Sequence, residues 1–212
     1  MMCTDRIIEG AFYSMEQAGR LINDATALYA QGKWSSSLVL AVFSLEELGK
    51  AEMFLQRGIE TATGAAKTRN EVMAGVIQHQ TKLKAGRGAA TVIASVSFCG
   101  DIPAPDAAES EALEAQLDAA QEIALNNAPG EAHEARMRAL YVDLGEDEMW
   151  VKPKEIGPGE AYLMVSAASI EYGVKRGKFI APQNAVVTQA IERLGGLIPT
   201  LPEAPHINWP NH

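Results

Sequence analysis

The chain holds only two cysteines, Cys3 and Cys99. They show neither zinc-ligand spacing nor a disulfide framework, so the fold must rest on its core, and a reducing cytoplasm is the expected setting. Aromatic residues are scarce at 6%, which tilts the composition towards helix. The longest apolar runs, Leu38–Phe43 and Val92–Phe98, fall well short of the roughly 20 residues a bilayer span needs. The opening MMCTDRIIEG carries Asp5 and Glu9 and lacks an apolar h-region, so no secretory signal is expected. Walker A, GxSxG and GxGxxG motifs in a strand–turn–helix context are missing as well. Positive charge is in short supply: the net charge is −9. That disfavours a DNA-coating protein, whose phosphate contacts need Lys and Arg. DNA and membrane are therefore not expected as partners.

What is present reads as one soluble domain: 212 residues, 47% hydrophobic and 21% charged, enough chain to bury a core unaided. The charge is uneven. Between residues 67 and 87, Lys67, Arg69, Lys82, Lys84 and Arg87 face Glu71 alone, whereas 101–155 carries fourteen acids against Arg136, Arg138, Lys152 and Lys154. The basic stretch is either a solvated helix face or a patch that meets RNA locally.

Apolar periodicity predicts helices throughout. One covers 5–31, with Ile8, Phe12, Met15, Ile22 and Tyr29 on its buried face, Thr4 or Asp5 as cap and Gly32 as stop. A second runs from Trp34 to about Gln56 and stops near Gly58; Leu38–Phe43 makes it apolar all round, as in the central helix of a bundle. A third is expected from Ala65 to about Lys84, and others over 90–98, 107–126, 131–140, 159–176 and 183–194. CGDIPAPD at 99–106 is a break. The stretch 141–158, with Val, Trp and an acidic turn, predicts a short hairpin or an ordered loop. The chain is thus expected to be all-α: a single domain over 1–196, with its core at 5–126 and an extension at 131–196, then a Pro-rich, non-helical tail at 197–212 that is either docked through Trp209 or loose.

The central helix ends in SLEELGK, which puts Glu46, Glu47 and Lys50 in apolar surroundings. A carboxylate there costs several kcal/mol unless it is paired. Lys50 is within helical reach of both glutamates. His79 and Lys82, on the following helix beside Val72, Val76 and Leu83, supply the other basic groups on an inward face. Two carboxylates, two ammonium groups and an imidazole can form a salt-bridge network. They can also form a proton-transfer site with an anion clamp, although buried pairs are more often architecture. No metal or cofactor is expected, since a di-iron bundle wants Glu-x-x-His pairs and neither glutamate has one.

In order along the chain stand Ala18, Leu21, Asp24, Ala25 and Leu28; Gly32 and Trp34; Glu46, Glu47, Gly49 and Lys50; His79 and Lys82; and Leu140–Asp143 with Pro153. This set, over about 18–175, resembles the AbiV-type abortive infection family of the HEPN group. The resemblance implies an up-and-down helical bundle with extra C-terminal helices, a cytoplasmic homodimer, and a toxin-like role in antiviral defence with a phage protein as trigger. It also implies either of two activities. One is a metal-independent endoribonuclease in which His79 acts as acid or base, Lys50 and Lys82 hold the phosphate, and Glu46 or Glu47 orients them. The other is non-catalytic binding of a phage product or of the translation machinery. The Arg-x4-6-His signature of many HEPN ribonucleases is missing here, for nine residues separate Arg69 from His79.

Overall fold

The computed structural model describes residues 2–65, 67–78, 81–83, 136–137, 139–140, 143–144, 150–151, 156–195 and 200–205. Two long helices dominate it: α1 (Thr4–Ala30) and α2 (Trp34–Ala62). The turn between them uses Gly32 at φ +72°, and they form an antiparallel pair. Ser37 Oγ donates to the Ala25 carbonyl at 2.7 Å, and Ser44 Oγ donates to that of Ala18 at 2.9 Å. Further along, Gly58 lies against Ile8. The serines let two backbones approach closely while satisfying their own buried hydroxyls.

Two boundaries differ from expectation. Gly58 does not stop α2, which runs on to Ala62. Its missing side chain serves packing instead, since a Cβ there would lie 2.6 Å from Ile8 Cγ1. Neither Thr4 nor Asp5 caps α1. Cys3 holds that position without a side-chain bond, and Asp5 receives Arg193 at 2.7 and 2.9 Å.

The expected third helix is the largest correction. Among the described residues of that span, helix is limited to α3 (Arg69–Met73), started by a Thr68–Glu71 capping box, and to residues 81–83. Helix α3 breaks at Ala74, whose ψ is 127°, and at Gly75, whose φ of +73° suits a residue without Cβ. Two short strands follow much later, β1 (Asp143–Leu144) and β2 (Trp150–Val151). They pair antiparallel, as the hairpin reading anticipates. The helices expected over 90–98 and 107–126, the break at 99–106, Cys99 and Trp209 lie outside the described residues.

Helix α4 (Pro158–Ile180) packs on the first pair, and α5 (Ala185–Leu194) closes one end. Contacts of Tyr162 with Tyr29, Tyr172 with Gly19 and Phe179 with Phe12 show that α4 runs antiparallel to α1. It therefore runs parallel to α2. The Ile156 N–H donates to Ser35 Oγ at 3.3 Å, so the chain between α2 and α4 returns to the end where α2 starts. The core is the shared interior of these helices: Ile8, Phe12, Met15 and Ile22 from α1, Leu38, Val42, Leu45 and Leu48 from α2, and Val165, Tyr172 and Phe179 from α4. Among the described residues this is a helical up-and-down bundle with added C-terminal helices, as the all-α expectation has it. Among the described residues no helix is long and apolar enough to cross a membrane.

Candidate functional site

Because α2 is central, its polar residues have little water to turn to. Glu46, 3% exposed, sits among buried Val39, Val42 and Gly49. Two cations reach it from distant segments. Lys82 Nζ lies 3.1 Å from Glu46 Oε2, and Arg136 Nη1 donates to Oε1 at 3.3 Å. The Arg136 guanidinium also stands over the Phe43 ring, 5.2 Å from its centroid. Phe43 is one helical turn before Glu46, so α2 presents an aromatic face and a carboxylate to the same arginine.

Lys82 belongs to helical residues 81–83, flanked by buried Val76 and Leu83. Its approach depends on the break after α3. Arg57 of α2 donates to the carbonyls of Val72 and Ala74, the latter at 2.5 Å, and so ties down the end of that short helix. Burial pushes the Arg57 guanidinium below its ordinary value. Gly75 then turns the chain, with Thr81 packed against it.

Glu47 points to a different side. Lys50 donates to both of its oxygens, at 2.5 and 2.6 Å. This pair is half-buried, with side chains 19% and 25% exposed. The structure thus brings Lys82 to Glu46, as the argument from buried carboxylates requires, and keeps Lys50 with Glu47. His79 lies outside the described residues.

Sequence reasoning missed two buried cations. It counted Lys50, His79 and Lys82 as the inward basic groups, yet Arg136 and Lys175 are buried too. Arg136 is 90 residues from Glu46; the one available signal was that a fully buried carboxylate asks for more than one partner. Lys175 lies 3.5 Å from Glu52, which Lys178 also approaches at 3.7 Å, and buried Glu171 stands one turn before it. The Glu171-x3-Lys175 spacing on a predicted helix was the legible hint there. Among the described residues no group of three or more His, Cys, Asp and Glu side chains is placed to hold one metal ion.

In comparisons with known proteins, a family model described as AbiV, of the HEPN type, matches residues 6–168. No curated protein and no solved structure matches the chain.

Proposed function

Since the chain belongs to the AbiV family of HEPN-type helical bundles, a family of abortive infection, we propose that it is a phage-defence protein that arrests growth by binding a macromolecular partner in the cytoplasm. The observation that carries this reading is the closure of the central charge cluster. The side chains of Glu46, Lys82 and Arg136 are 4%, 10% and 7% exposed, and each is engaged with another. Glu46 offsets the charge of both cations, and little of either side chain is open to an incoming phosphate. The cluster therefore suits a keystone that ties Lys82 and Arg136, distant in sequence, to α2. The net charge of −9 favours a basic partner surface over free nucleic acid.

The ribonuclease reading rests on a separate observation, the partial exposure of the Lys50–Glu47 pair. There Lys50 would hold the phosphate and Glu47 would orient the lysine. A 2′-hydroxyl would attack phosphorus in line while the 5′-oxygen leaves, with His79 exchanging the protons. One experiment separates the two. Purified protein is incubated with total RNA in EDTA, as wild type, Lys50→Ala and His79→Ala, and the same variants are scored for phage protection. Binding predicts intact RNA throughout. Cleavage by wild type that His79→Ala abolishes would establish the nuclease instead.

A further inference from the structure

We propose that the groove between α1 and α4 reads extended Pro-x-x-Pro peptides, with the chain's own Leu201–Pro205 as its resident ligand and a partner bearing the same pattern able to displace it. Residues 201–205 read Leu-Pro-Glu-Ala-Pro and are neither helix nor strand. They lie along α4 in the opposite direction to it. Arg176 Nη2 donates to the Leu201 carbonyl at 3.4 Å, Tyr172 Oη donates to that of Pro202 at 2.7 Å, and Ser169 Oγ donates to that of Pro205 at 3.1 Å. Ala204 rests over Gly173. These four α4 positions form one helical stripe. Seven residues of helix rise about 10 Å, close to the roughly 12 Å of four extended prolyl-type residues.

The groove is built for this class of ligand. All three donors are side chains and all three acceptors are carbonyls, the group that proline keeps when it loses its N–H. Ser169 and Tyr172 are buried beneath the segment. Gly19 of α1 makes room on the other wall, where a Cβ would lie 2.5 Å from Tyr172 Oη and 3.0 Å from Pro202 Cγ. Leu201 fills the apolar end and joins the core cluster. Arg176 adds selectivity for an acid after the first proline, reaching Glu203 at 2.7 Å. Aromatic floor, apolar anchor, arginine and carbonyl-directed donors are the elements by which proline-rich segments are recognised between proteins. The partner this fits is a protein displaying an exposed Leu-Pro-acid-x-Pro segment.

The test uses the full-length chain and a labelled peptide, TLPEAP, in fluorescence anisotropy. In the wild type the tethered segment competes at an effective concentration of about millimolar, so peptide binding should be weak. Leu201→Asp with Glu203→Arg releases the resident segment, and peptide affinity should rise about tenfold or more as that competition is lost. Adding Arg176→Glu should abolish the gain, and a peptide with both prolines changed to alanine should not bind. If the double variant does not fold, Glu203→Arg alone, at an exposed position, reads the same way: tighter peptide binding than wild type, lost with Arg176→Glu. A folded released variant that ignores millimolar peptide, or binding indifferent to Arg176→Glu, overturns the proposal.

Discussion

Replacing Glu46 by Gln tests the keystone directly. The change keeps the side chain's shape and one acceptor oxygen but removes the charge that two buried cations share. Lys82 and Arg136 approach it at 3.1 and 3.3 Å, and both are largely shielded from water. At an effective dielectric of about 20, each contact is worth roughly 5 kcal/mol gross, most of which offsets desolvation. Stranding the cations should cost about 3–5 kcal/mol net. In a chain of this size that lowers the melting temperature by about 10 °C. Glu47→Gln is the internal control: its pair with Lys50 is less deeply buried and involves one cation, so the loss should be smaller, about 1–2 kcal/mol. Urea unfolding followed by circular dichroism measures both. The triple change Glu46→Leu, Lys82→Met and Arg136→Met should recover much of the loss, because apolar groups of similar volume often replace a buried ion cluster at little cost. Equal losses for Glu46→Gln and Glu47→Gln would refute the reasoning. So would a Glu46→Gln protein that keeps its melting temperature yet loses phage protection, since the cluster would then be a contact site.

Gly58→Ala should destabilise by about 1–3 kcal/mol through the clash with Ile8, on the scale of other overpacking changes; a neutral effect in thermal melts would mean that α1 and α2 can part there. Tyr172 has its hydroxyl pushed up to about 12, chiefly by burial. A raised tyrosine favours the folded state while protonated, so its contribution is complete below the ordinary value of 10 and is lost as pH rises towards 12. The stability difference between wild type and Tyr172→Phe should therefore shrink over that window, and a constant difference would count against a buried hydroxyl. Asp5 is held below the usual carboxylate range by its hydrogen bonds from Arg193. Its small contribution, under about 1 kcal/mol at an exposed pair, should fade as pH drops through its lowered value, and Asp5→Asn should remove that acid dependence. Exposed Tyr13 on α1, with Ile170 and Ile180 on α4, leads us to expect a homodimer; sedimentation as a 22.7 kDa monomer at micromolar concentration would contradict it.

The helices that the sequence marked most clearly were those whose pattern is local. The apolar face of α1 and the all-round apolar Leu38–Phe43 run of α2 needed nothing beyond helical spacing and appear with starts within a residue of expectation. Glycine was less reliable. Gly32 ends a helix, whereas Gly58 and Gly19 sit inside helices to admit Ile8 and Tyr172. A missing side chain looks the same in sequence whether it frees φ or makes room.

For the charge cluster, the sequence by itself determined that Glu46 lies in apolar surroundings and must find a positive partner, because burying a lone carboxylate is too costly. It also determined the membership of the family, carried by residues in order along the chain. Only the tertiary structure decided who the partners are. Lys82 arrives because the chain breaks at Gly75, and Arg136 arrives from 90 residues away over Phe43. Helical spacing allowed Lys50 to pair with either glutamate, and packing sent it to Glu47. The fate of Leu201–Pro205 was decided in the same way. Proline told the chain not to be helical there, but a groove floored by Tyr172 exists only once α1 and α4 have packed, since its walls come from helices that are neighbours in space and not in sequence.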